Sequence, residues 1–215
     1  MLKTIFITAI CAVYSEALLN SQNAVVESCN EERLIKCSVS MYRDLGMPYS
    51  PKGADEFKWF VENLIEQQGR RGVLTVCKAM RRFDHCEGSQ MKKCMSVQNL
   101  KRLGLSSKDA VGSVAVYRGL SSVCGPNQKV FLDNINCVLA TNKTEVLTFT
   151  MCGDELRSGL TQHPEMACKL VNKFLACVIP PFGKKCGSVV GNAICDEEKS
   201  IFGSIFPQCK SIECV

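Results

Sequence analysis

The sequence predicts an all-α, disulfide-stapled protein, and three observations carry that expectation. Apolar residues recur at helical spacing along almost the whole chain. Fifteen cysteines stand among 215 residues, and only Cys11 lies inside an N-terminal apolar run. The other fourteen are Cys29, Cys37, Cys77, Cys86, Cys94, Cys124, Cys137, Cys152, Cys168, Cys177, Cys186, Cys195, Cys209 and Cys214. An even, widely spaced set behind an apolar leader reads as a framework of seven bridges in an oxidising compartment.

The chain opens with Lys3 and then an apolar stretch from Ile5 to Tyr14. That length suits the core of a signal peptide and is too short to span about 30 Å of hydrocarbon. Small residues at Ser15 and Ala17 place cleavage after one or the other, and either cut discards Cys11. Residues 1–17 are therefore expected to be a signal peptide. No low-complexity linker divides residues 18–215, which are expected to form a single secreted domain without a transmembrane segment. Aromatic residues are only 7% of the chain, with Trp59 the single tryptophan. A modest aliphatic core reinforced by bridges, each stabilising by about 2–4 kcal/mol, is the consequence.

The elements follow from periodicity and stop signals. Asn30 is a good N-cap, Glu31 and Glu32 suit a first turn, and Leu34, Cys37, Met41 and Leu45 form a stripe that Gly46 and Pro48 end. Phe57, Phe60, Val61, Leu64 and Ile65 make a second stripe ending at Gly69, and its aromatics read as core. A third helix is expected over 73–85, with Val73, Val76, Cys77, Met80 and Phe83 inward. Ser106 and Asp109 resemble a capping box ahead of Ala110, Val111, Val114 and Tyr117. Cys124-Gly-Pro-Asn127 is a turn before a helix through Val130, Phe131, Ile135 and Val138. Over 144–151, rich in Thr, Val and Phe, a strand competes on equal terms with a helix. Pro164 suits a first helical turn, and Pro180-Pro181 are expected to end that helix after Cys177. The last thirty residues give no clear pattern.

The chain also repeats itself. Residues 76–86, Val-Cys-Lys-Ala-Met-Arg-Arg-Phe-Asp-His-Cys, align with residues 167–177, Ala-Cys-Lys-Leu-Val-Asn-Lys-Phe-Leu-Ala-Cys, and each runs on to a Lys-Lys-Cys ending at Cys94 or Cys186. Two related halves, built on one helix-and-turn unit over 76–94 and 167–186, explain this. The three cysteines of one unit are expected to pair in the manner of the other three.

Chemistry is sparse. His85 and His163 are the only histidines, which leaves almost no material for a Ser-His-Asp or Cys-His arrangement. The recurring cysteine spacings of seven or eight residues do not suit structural zinc. No catalytic residue, metal site or cofactor is expected, and the chain is read as a binding protein and not an enzyme. Asn142-Lys-Thr144 is an N-glycosylation acceptor, placed by this reading in a turn between helices. Ser158-Gly159 is a minimal glycosaminoglycan attachment site. Between residues 70 and 108 ten cations stand against Asp84 and Glu87 only. Of these, Arg71, Lys78, Arg81 and Arg82 fall on the outward face of the third helix, where they read first as a solvated surface and otherwise suit a sulfated glycan or an anionic lipid head. Nucleic acid is not an expected partner of a secreted chain.

The run Cys77-x8-Cys86-x7-Cys94, then Cys124-Gly125, Cys168-x8-Cys177-x8-Cys186-Gly187, Cys209 and Cys214 resembles a secreted cysteine-rich family expanded in nematodes and catalogued as domain of unknown function nineteen. The resemblance covers Cys29 to Cys214 and rests on cysteine spacing with a few flanking residues. The nematode chondroitin-proteoglycan core domain is similar in pattern, but the single Ser-Gly argues against that branch. Membership implies secretion and disulfides and carries no catalytic residues. The expected function is a secreted, non-catalytic interaction protein for an extracellular protein, glycan or lipid. Its rivals are a secreted hydrolase with an unrecognised site and an extracellular-matrix core protein.

Overall fold

A computed structural model describes residues 29–48, 50–209 and 211–214. The expected signal peptide, residues 1–17, lies outside the described residues. Every regular element within them is helical, and the fold is all-α. The elements are α1 (Glu31–Leu45), α2 (Ala54–Gln68), α3 (Arg70–Glu87), α4 (Met91–Cys94), α5 (Val97–Arg102), α6 (Ser107–Cys124), α7 (Gln128–Thr144), α8 (Val146–Gln162), α9 (Ala167–Cys186) and α10 (Ser188–Ile205). Short 3₁₀ turns, Gly88–Gln90 and Pro164–Met166, lead into α4 and α9.

The caps form as the sequence dictates. Asn30 accepts the Arg33 amide at 3.0 Å, and Gly46 ends α1 at φ +77°, returning its amide to the Arg43 carbonyl. Ser106 accepts the Asp109 amide at 3.0 Å and donates to the Asp109 carboxylate at 2.7 Å. Tight packing also has a visible cause at Gly72, where a Cβ would stand 2.5 Å from the Leu64 carbonyl oxygen. Only glycine lets α3 fold back so closely on α2.

Residues 144–151 are helical, so the strand alternative fails: α8 starts at Val146. Its inward positions, Phe149, Cys152, Leu156 and Leu160, recur at helical spacing and are buried. The expected stop at Pro180-Pro181 also fails, because α9 runs through both prolines to Cys186. Its buried stripe, Val171, Phe174, Leu175, Val178, Ile179 and Phe182, continues unbroken across them. Burial of that stripe outweighs the lost amides and ring clashes. Together with the preceding 3₁₀ turn, α9 is long and apolar enough, by length and composition, to cross a membrane, at a mean hydropathy of 1.2. Its six-residue stripe faces the protein core.

Seven bridges join Cys29–Cys94, Cys37–Cys86, Cys77–Cys124, Cys137–Cys186, Cys152–Cys177, Cys168–Cys209 and Cys195–Cys214. Six of them follow one plan twice. In the first half two nested bridges tie Cys86 and Cys94 back to Cys37 and Cys29, and Cys77 reaches forward to Cys124. In the second half Cys177 and Cys186 tie back to Cys152 and Cys137, and Cys168 reaches forward to Cys209. Thus α1 packs on α3 as α8 packs on α9, while α6 and α10 meet extensively at the centre. Ion pairs repeat too: Arg82 of α3 binds Asp44 of α1 at 2.9 Å, and Lys173 of α9 binds Glu155 of α8. The halves part at one point. α3 stops at Gly88, at φ +59°, and the chain breaks into α4 and α5, whereas α9 continues straight to its third cysteine.

Candidate functional site

A large recess lies beside that early stop. With α3 ended, α4 and α5 carry the chain sideways, and a cleft of about 530 Å³ is left between α1, the start of α2, α3, α5 and α6. Leu34, Met41 and Tyr42 of α1 form one wall. Met80 and Phe83 of α3, with Met95, form the floor, and Leu100, Leu103 and Leu105 close the far side. Phe57 and Tyr117 complete the lining. Phe57 was expected to be core; it is half-buried and faces this cleft, its ring centroid 5.5 Å from that of Tyr42. Ile35 and Val39, 56% and 51% exposed, extend the apolar surface onto the rim.

Few polar groups converge here. The Tyr117 hydroxyl donates to Asp84 at 3.1 Å, and its pKa is pushed up to about 12, first by burial and then by the Asp84 charge. Burial likewise raises Asp84 and the Tyr42 hydroxyl. Glu31, Ser38, Ser50, Lys52, Ser106, Asp109 and Ser113 also lie within the lining, and Asp109 is occupied by its capping bond to Ser106. The volume lies within the roughly 300–1,000 Å³ of small-molecule pockets, and the pattern of apolar wall with few polar atoms is theirs too. Three methionines in the lining give it a surface that adapts to shape.

A second, smaller recess of about 50 Å³ lies between α2, α3, α6, α7 and α10. Apolar side chains such as Val61, Val116 and Phe131 line it together with Lys58, Glu62 and Glu197. Lys58 and Glu197 are 6% and 2% exposed, as is Glu198 at 4%. Lys58 stands 3.6 Å from Glu62, while one Glu197 oxygen is enclosed without a hydrogen bond. Burial pushes Glu62 up to about 7 and Glu198 up to about 8, and it holds Glu197 well above the usual carboxylate range, reinforced by Glu198 and Glu62. Two carboxyls, those of Glu62 and Glu197, thus converge on this recess. These residues were missed in the sequence. The signal is nonetheless present: Val190, Ile194, Glu197, Glu198 and Ile201 share one helical stripe.

The residues singled out from the sequence lie apart. Arg71, Lys78, Arg81 and Arg82 are all exposed on α3, on the side away from Met80 and Phe83. Arg82 is held by Asp44 and Arg81 reaches Gln128 at 3.3 Å. His85 is exposed within α3 and not in a turn, and His163 caps α8, 3.4 Å from Glu165. Among the described residues no group of histidine, cysteine and acidic side chains could hold a metal ion. Ser158 is exposed on α8. Asn142 corrects the expectation of an inter-helix turn: it sits in the last turn of α7, 4% exposed, with both amide atoms enclosed and unpartnered.

No family model, no curated protein and no solved structure matches the chain.

Proposed function

We propose that this is a secreted, non-catalytic binding protein whose cleft between α1, α3, α5 and α6 holds a small apolar molecule. The cleft itself carries the reading: it is an open recess of about 530 Å³, walled in large part by leucine, methionine and aromatic side chains. Filling it would remove apolar surface of both partners from water, at roughly 25 cal/mol per Å². The bridges suit an extracellular carrier, since they keep the walls in place where no reducing system threatens them. The likeness to the nematode cysteine-rich family is compatible with this reading.

The test is a titration of the oxidised, delipidated protein with a fluorescent long-chain fatty acid and with a fluorescent long-chain alcohol. One saturable site is expected for at least one probe. Ser38 and Ser113 line the cleft and are only half-buried, so Ser38→Trp or Ser113→Trp should fill it. Either should weaken binding at least tenfold while leaving the helical circular dichroism unchanged. Absence of saturable binding by both probes, or undiminished binding by both variants, overturns the reading.

A further inference from the structure

The outer face of α3 carries a feature that the cleft does not use. Arg71, Lys78, Arg81 and Arg82 lie along one exposed side of the helix. From Arg71 to Arg82 they extend about 16 Å at the helical rise of roughly 1.5 Å per residue. The only acids of this helix are turned away from them. Asp84 is half-buried against the Tyr117 hydroxyl, and Glu87 is 0% exposed. Neighbouring elements offset the stripe at its margins alone: Asp44 takes Arg82, and Asp133 takes the adjacent Arg70 at 3.1 Å. Arg71 and Lys78 form no ion pair among the described residues. Like charges three or four residues apart, as at Lys78, Arg81 and Arg82, weaken a helix. Folding stability therefore does not account for this stripe.

We propose that the outer face of α3 is a docking surface for a sulfated polysaccharide. A linear polyanion matches a linear row of cations in both charge and length, and it asks nothing apolar of the surface. A bilayer would need an apolar flank to insert; the stripe offers Leu74 alone, 43% exposed. Attraction of this kind concentrates the partner at the surface and weakens as salt shortens the Debye length, from about 10 Å at 0.1 M to about 3 Å at 1 M.

The probe is heparin, used as an affinity column and as a short oligosaccharide in solution. The triple variant Arg71→Gln/Lys78→Gln/Arg81→Gln removes the charges and leaves the Arg82–Asp44 pair intact. It should elute at clearly lower salt and bind the oligosaccharide at least tenfold more weakly, with an unchanged melting temperature. Lys78→Arg, which keeps the charge, should elute with the parent. Should the triple variant fold poorly, Arg71→Gln and Lys78→Gln separately should each lower the elution salt by a smaller step. Unchanged elution of the neutralised variants overturns the proposal. So does binding to phosphatidylserine vesicles as tight as binding to heparin and lost in the same variants, which would assign the face to membranes.

Discussion

At the scale of single residues, the buried carboxyls on α2 and α10 set how the molecule responds to pH. Glu62, Glu197 and Glu198 share their enclosure with one cation, Lys58, so the folded state favours their protonated forms. Carboxyls of the unfolded chain ionise near pH 4. Below that, both states are protonated and these groups contribute no pH dependence. From about 4.5 up to about 7 for Glu62 and about 8 for Glu198, the unfolded chain gives up protons that the folded chain keeps. Stability then falls as pH rises, by about 1 kcal/mol per unit and per group. The protein should melt at a higher temperature at pH 5 than at pH 8, and Glu198→Gln should narrow the gap; equal melting temperatures would refute this. Asn142 shows the same limit of residue-level reading from another side. Its tripeptide is visible in the sequence, yet its burial depends on how α7 packs, which no local pattern encodes.

At the scale of elements, capping chemistry made the helix boundaries legible. Asn30, Gly46, Ser106 and the Cys124–Asn127 turn fell where local hydrogen bonding requires them. The failures came where tertiary packing overrode local preference: Thr and Val at 144–151 joined a helix, and two prolines stayed inside α9. Bridges Cys152–Cys177 and Cys137–Cys186 clamp that helix on both sides of the prolines, so ending it there would unseat Val178, Ile179 and Phe182. Pro180 and Pro181 are only half-buried, and their rings deny amides to the carbonyls one turn earlier. Pro180→Ala and Pro181→Ala should therefore each stabilise the protein by about 1–2 kcal/mol, after allowing for the freer unfolded chain. A denaturant melt reads this directly, and a loss of stability would mean that the prolines shape a bend the core needs.

At the scale of the whole molecule, the duplicated sequence unit was legible and its doubled wiring was not, because fourteen cysteines admit a very large number of pairings. The cleft was equally out of reach. It is lined by α1, α2, α3, α5 and α6, elements far apart in the sequence, and only the assembled fold brings them together. The same wiring governs global stability. Six bridges link residues 25 to 65 positions apart and the seventh links residues 19 apart. Each restricts the unfolded chain by about 2–4 kcal/mol. Nested bridges overlap in effect, but even half of that sum rivals the 5–15 kcal/mol by which domains are usually stable. Reduction should therefore unfold the protein under otherwise native conditions, with loss of the helical circular dichroism signal and exposure of the buried stripes to aggregation. Before reduction, alkylation in denaturant should label none of the fourteen bridged cysteines, and peptide mapping should recover Cys37–Cys86 and Cys152–Cys177 as matching crosslinks of the two halves. Retention of full helicity in the reduced protein would show instead that the aliphatic core suffices and that the bridges guard only against proteolysis.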